Sequence, residues 1–214
     1  MSPRFITLAT VATLAFPAAN GQPSTDLVGK WTNETSDAGA RTQMSVQFFP
    51  NGTYAHRLVI ISEFGWTQQG NLLLLAPLVG MTKNNPEYGK ASSLQMKLDG
   101  DNLTISDREQ TIKLKRVTVP VNESAILGRW EGKSESNQGI VHDFLADGQL
   151  LVTITMLREA GRFSADGKSI KWEEQIPEPN RRKTRFRLEN DKLTLYLKPN
   201  VPLELVRAPA SASN

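Results

Sequence analysis

The sequence predicts an all-β fold: two small antiparallel β-barrels or barrel-like meanders in tandem. Three observations predict it: an internal repeat, a hydrophobic period of two, and hairpin-type turns between the periodic runs. None of the 214 residues is cysteine, so disulfides and a lipid anchor on cysteine are both excluded. Stability must then come from core packing alone.

The chain opens with one positive charge, Arg4, followed by an apolar run from Phe5 to Phe16 and small residues at Ala18, Ala19 and Gly21. This is the pattern of a secretory signal, residues 1–21, and it predicts an exported protein, periplasmic or extracellular. No later segment approaches the roughly 20 apolar residues of a membrane-spanning helix, so no stable membrane insertion is expected. Of the formal charge of +3, Arg4 supplies one and the rest divides evenly: residues 22–122 carry 10 Lys+Arg against 9 Asp+Glu, and residues 123–214 carry 14 against 13. A balance this even argues against a nucleic-acid partner, which would call for a basic face.

The repeat organises the rest. Leu27-Val28-Gly29-Lys30-Trp31 returns as Ile126-Leu127-Gly128-Arg129-Trp130, and Phe48-Phe49-Pro50-Asn51-Gly52 as Phe144-Leu145-Ala146-Asp147-Gly148. Trp66-Thr67 with Gly70 returns as Phe163-Ser164 with Gly167, and Asp101-Asn102-Leu103-Thr104-Ile105 as Asp191-Lys192-Leu193-Thr194-Leu195. Lys115-Arg116-Val117 returns as Val206-Arg207-Ala208. The order is kept while the offset drifts between 90 and 99, as in two copies of one unit with insertions in the connections. The expected domains are 27–119 and 126–208, joined by Pro120-Val121-Asn122-Glu123-Ser124.

Within each copy apolar and polar residues alternate. Met44, Val46 and Phe48 share one face, as do Leu150, Val152, Ile154 and Met156. That alternation makes antiparallel strands with one face buried. Asn51-Gly52, Asp99-Gly100, Asp147-Gly148 and Asp166-Gly167 punctuate the runs with hairpin turns.

A Gly-x-Trp on the first strand with an arginine on the last resembles the lipocalin (calycin) superfamily, and Gly29-Lys30-Trp31-Thr32-Asn33 resembles the opening of avidin-type barrels. Each copy is shorter than either, closer to the short lipocalin-like domains of exported bacterial proteins. The resemblance implies that a tryptophan closes one end of each barrel with an arginine over its ring: Trp31 with Arg116, and Trp130 with Arg207. A guanidinium on an indole contributes about 0.5–2 kcal/mol and closes the end.

Strand parity places His56 on the inward face with Tyr54 and Leu58, and His142 with Ile140 and Phe144. At the repeat offset of 96 their counterparts are Val152 and Val46, so each copy carries one imidazole where its twin carries a valine. His56, His142 and Trp66 are therefore the candidate ligand-binding residues; a core histidine satisfied by a neighbour is the other reading. Leu72 and Leu74 match Ser169 and Lys171 of the second copy, which predicts an apolar outer surface on the first copy only. It would pack against the second domain, a partner protein or a membrane surface. The basic run Arg181–Arg187 follows the acidic Glu173–Glu178 as the second arm of a hairpin would, its charges neutralised across strands.

No catalytic residue, metal site or cofactor is expected. Two distant histidines without thiols make no zinc site, Asp99-Gly100-Asp101-Asn102 lacks the calcium loop, and neither a nucleophile elbow nor a phosphate-binding glycine motif is present. The functional expectation is an exported, non-enzymatic binding module for a small apolar or mixed molecule or a partner protein, monomeric with packed domains. The alternative is a structural or interaction protein without a pocket.

Overall fold

The computed structural model describes residues 25–37, 39–82, 85–118, 126–134, 136–198 and 201–209. The expected signal segment and the linker 120–124 lie outside these residues. The strands are β1 (Gly29–Asp37), β2 (Ala40–Phe48), β3 (Thr53–Gln69), β4 (Leu72–Thr82), β5 (Asn85–Tyr88), β6 (Ser92–Asp99), β7 (Asn102–Ser106) and β8 (Thr111–Thr118). The second half gives β9 (Gly128–Lys133), β10 (Gly139–Phe144), β11 (Gln149–Ala165), β12 (Ser169–Ile176), β13 (Asn180–Glu189), β14 (Lys192–Lys198) and β15 (Val201–Arg207). A short 3-10 turn, Thr25–Leu27, precedes β1. The class is all-β, as the alternation predicted, and no helix among the described residues is long and apolar enough to cross a membrane. The expected hairpin turns all fall between strands, with Gly52 (φ 77) and Gly148 (φ 83) leading into the two longest.

Those two strands decide the topology. β3 and β11 are each 17 residues long, roughly 55 Å of extended chain. They run antiparallel to one another from Gln149↔Gly65 to Arg162↔Thr53. All the strands join one antiparallel sheet that closes on itself, and the additional pairings β12–β11 and β3–β4 divide it into two circuits. The first passes through β1, β2, the first half of β3, the second half of β11, β12, β13, β14 and β15, returning through Trp31↔Arg207. The second passes through the second half of β3, β4, β6, β7, β8, β9, β10 and the first half of β11.

The pairing therefore departs from the tandem expectation. Neither 27–119 nor 126–208 closes on itself; each circuit takes its opening strands from one copy and its closing strands from the other. The physical cause is strand length. A strand of 17 residues is too long to serve one small ring, so each long strand leaves its own copy midway and carries the chain into the other circuit. The buried side chains follow the circuits, not the copies. One core holds Trp31, Val46, Phe48 and Tyr54 together with Phe163, Ile170, Trp172 and Leu205, and the other holds Leu73, Leu103 and Leu114 with Trp130, Phe144 and Leu150.

The tryptophan–arginine pairs are exchanged accordingly. Arg207 lies 4.1 Å over Trp31 and Arg116 4.1 Å over Trp130, the reverse of the within-copy pairing. Strand adjacency causes this, because β1 borders β15 and β9 borders β8. Each indole Nε1 donates to the carbonyl four residues before it, Leu27 at 2.8 Å and Ile126 at 2.7 Å. Each guanidinium also donates to the chain entering its tryptophan, Arg207 to Val28 O at 2.8 Å and Arg116 to Leu127 O at 3.1 Å. Gly29 sits at φ 131, a conformation that residues with a Cβ rarely adopt, which favours glycine two residues before the tryptophan; a Cβ there would also stand 2.8 Å from the tip of Arg207.

Candidate functional site

The interior of the first circuit carries a polar layer. β3 alternates, so Tyr54 and His56 both point inward. β12 brings Trp172 and Glu174, and β13 brings Arg182 and the buried Thr184. Glu159 arrives from β11 only because that strand contains a bulge between Thr155 and Leu157. Before the bulge even-numbered positions face inward (Leu150, Val152); after it Glu159, Gly161 and Phe163 are the buried ones. The extra residue flips the side-chain parity and throws Met156 outward to 42% exposure, against the alternation expected for it.

Glu159 is held from two sides, its carboxylate accepting from His56 Nδ1 at 2.9 Å and from Arg182 Nη2 at 2.8 Å. Arg182 also forms an ion pair with Glu174, Nε to Oε1 2.9 Å, and lies 5.1 Å over the Trp172 ring. Tyr54 packs edge-on against Trp172 with centroids 4.8 Å apart. A carboxylate only accepts, so His56 carries a proton on Nδ1 towards Glu159 and turns Nε2 into the layer. Burial, and then the charge of Glu174, push the Tyr54 phenol far above its ordinary value, so it stays protonated as a donor.

Three buried polar atoms of this layer make no well-formed hydrogen bond, Tyr54 Oη, His56 Nε2 and Trp172 Nε1, although the Arg182 guanidinium lies near the Tyr54 phenol. Leaving a buried donor or acceptor unsatisfied costs about 1–3 kcal/mol, so three in one layer is a considerable concession to stability. The matching positions of the other circuit are apolar. At the repeat offset of 96, Tyr54 and His56 correspond to Leu150 and Val152, which pack in the second core with Phe64 and Leu75. Glu174 also borders an open depression of about 840 Å³ at the β12–β13 turn, lined by Gln175, Pro179 and Asn180 among others. The layer thus reaches the surface through one of its own members.

Of the candidate ligand residues, only His56 joins this layer. Trp66 lies in the second circuit, edge-on to Phe144 at 5.3 Å, with its Nε1 donating to Gln149 O at 3.0 Å. His142 is also in the second circuit, 5% exposed, flanked in register by Trp130 and Val152. Desolvation lowers its pKa to about 4, so its imidazole is neutral at ordinary pH. Leu72 and Leu74 are half-buried on β4, opposite Gln95 and Ser93, and belong to neither core. The basic run does form one arm of a hairpin with the acidic segment, with Arg181 opposite Glu173 at 3.6 Å. No group of three metal-ligating side chains occurs among the described residues.

Sequence reasoning missed Glu159, and it placed Glu174 and Arg182 on a hairpin with charges paired across strands without placing them in the interior. The signal for Glu159 would have been the bulge, which no residue type in Thr155-Met156-Leu157 announces. No family model, curated protein or solved structure matches the chain.

Proposed function

We propose that this is an exported, non-enzymatic binding protein whose two circuits are small lipocalin-like barrels sharing strands. The polar layer of the first circuit then receives a small polar ligand. The observation carrying this reading is the set of buried atoms without a hydrogen bond, two donors on Tyr54 and Trp172 and one ring nitrogen on His56. A ligand with acceptor oxygens and at least one donor, such as a small hydroxylated or amide-bearing molecule, satisfies all three. This makes the ligand more polar than the sequence suggested.

His56 with Glu159 has the arrangement of an oriented base. A second reading is an interaction protein without a pocket. It is favoured by the fact that Trp31, His56, Trp66 and His142 line none of four surface depressions of 260–840 Å³.

Thermal-shift screening of small polyols, amides and hydroxy acids on the full chain distinguishes the two. Under the binding reading, a stabilising compound loses its effect in both His56→Val and Tyr54→Phe. A screen without any stabiliser, together with variants more stable than the parent, would leave only the interaction reading.

A further inference from the structure

The outer face of the β3–β11 seam carries a charge segregation that the polar layer does not use. A cleft of about 260 Å³ there is lined by Lys30 (β1), Arg57 (β3) and Arg129 (β9), with the hydroxyls of Thr32, Ser45 and Thr153 between them. Arg57 also borders an adjoining depression of about 730 Å³, which adds Lys133 and Arg158. Among the described residues, the two hollows together are lined by five cations and by no aspartate or glutamate. The whole chain carries 25 Lys+Arg against 22 Asp+Glu, so this is segregation, not composition.

Two further facts sharpen it. Arg57 and Arg158 stand directly opposite each other on neighbouring strands, a like-charge cross-strand pair that costs stability when nothing lies between. Arg129 is ion-paired with Glu131 and Asp143, at 3.0 and 3.6 Å, whereas Lys30, Arg57, Lys133 and Arg158 have no carboxylate partner among the described residues. Lys30 and Arg129 hold the same place in the two copies, between the glycine and the tryptophan, so the strand exchange is what brings this matched pair to the flanks of one cleft.

We infer that this seam is a binding site for a multiply charged oxyanion, two or more linked phosphate or sulfate groups spanning the two hollows through Arg57. Charge-assisted hydrogen bonds from guanidinium to such oxygens are short and directional, and the bordering hydroxyls add donors. The anion also removes the Arg57–Arg158 repulsion, so it stabilises the fold as it binds.

The experiment is calorimetric titration of the full chain at low ionic strength with tripolyphosphate, orthophosphate and phosphatidylglycerol vesicles. The expected result is saturable tripolyphosphate binding, weaker for orthophosphate. Lys30→Gln and Arg57→Gln should each lose roughly tenfold in affinity, about one charge-assisted hydrogen bond, while Lys97→Gln on the exposed face of β6, opposite Thr104, changes nothing. In buffer without multivalent anions, Arg158→Gln should raise the thermal midpoint and shrink the gain that tripolyphosphate gives. The inference is overturned if tripolyphosphate does not bind, if Lys97→Gln weakens it as much as Arg57→Gln, or if only the vesicles bind. A lower midpoint for Arg158→Gln would also count against it.

Discussion

His142 gives the chain a built-in sensitivity to acid whose size follows from its surroundings. The ring lies between Trp130 and Val152 in register and 6.2 Å from the Phe144 centroid, nearly parallel to it, and Nδ1 has no protein partner. Its pKa falls from 6.5 to about 4 for one reason, desolvation of the charged form. Between these values the unfolded chain binds more protons than the folded one. Stability is therefore lost as pH falls through 6.5 and the loss is complete below about 4. A tenfold drop in proton affinity is worth about 1.4 kcal/mol, which makes the full loss about 3 kcal/mol, most of it in place by roughly pH 4.5. Carboxylates throughout the chain also respond to acid, so the comparison needs a partner that lacks only this group. His142→Val supplies it, because valine occupies the matching position 46 in the other circuit, 2% exposed. Urea unfolding of both proteins at about pH 7 and about pH 4.5 should show the parent losing about 2–3 kcal/mol more than the variant. Equal losses would refute the argument, since burial of a titrating imidazole could then not be what the fold resists.

The remaining predictions concern the exchange and the polar layer. In a double-mutant cycle by chemical denaturation, Arg207→Ala should couple to Trp31→Phe by about 0.5–2 kcal/mol, and Arg116→Ala should not couple to Trp31→Phe. The opposite pattern would restore the within-copy pairing. Fragments 22–122 and 123–214 expressed separately should each lack cooperative thermal unfolding and regain it on mixing, because each circuit needs strands from both; a fragment that unfolds cooperatively alone would contradict the shared-strand topology. Glu159→Leu should cost about 1–3 kcal/mol by urea denaturation, because it removes the acceptor of His56 Nδ1–H and one of the two carboxylates that hold Arg182. A change below about 1 kcal/mol would mean that the layer is solvated and not buried.

What the sequence determined by itself is local. Alternation along Met44–Phe48 and Leu150–Ile154 required strands, and turn glycines such as Gly52 and Gly148 required hairpins. The glycine–tryptophan and arginine positions marked the ends of the rings, because a backbone turn or a period of two is written in neighbouring residues. Which strand borders which is not written there. The repeat implied two self-contained units, and the same side chains served equally well in exchanged ones: Trp31 accepts Arg207 or Arg116 with identical chemistry. Only the long pairing of β3 with β11, from Gln149↔Gly65 to Arg162↔Thr53, chose between them. The polar layer was illegible for a related reason. Glu159 reaches His56 because one bulge reverses the facing of the strand, and Arg182 reaches Glu159 because β13 curls over the same interior. A register shift of one residue exchanges the buried and exposed faces without changing composition, so tertiary pairing alone decided which charges the core would hold.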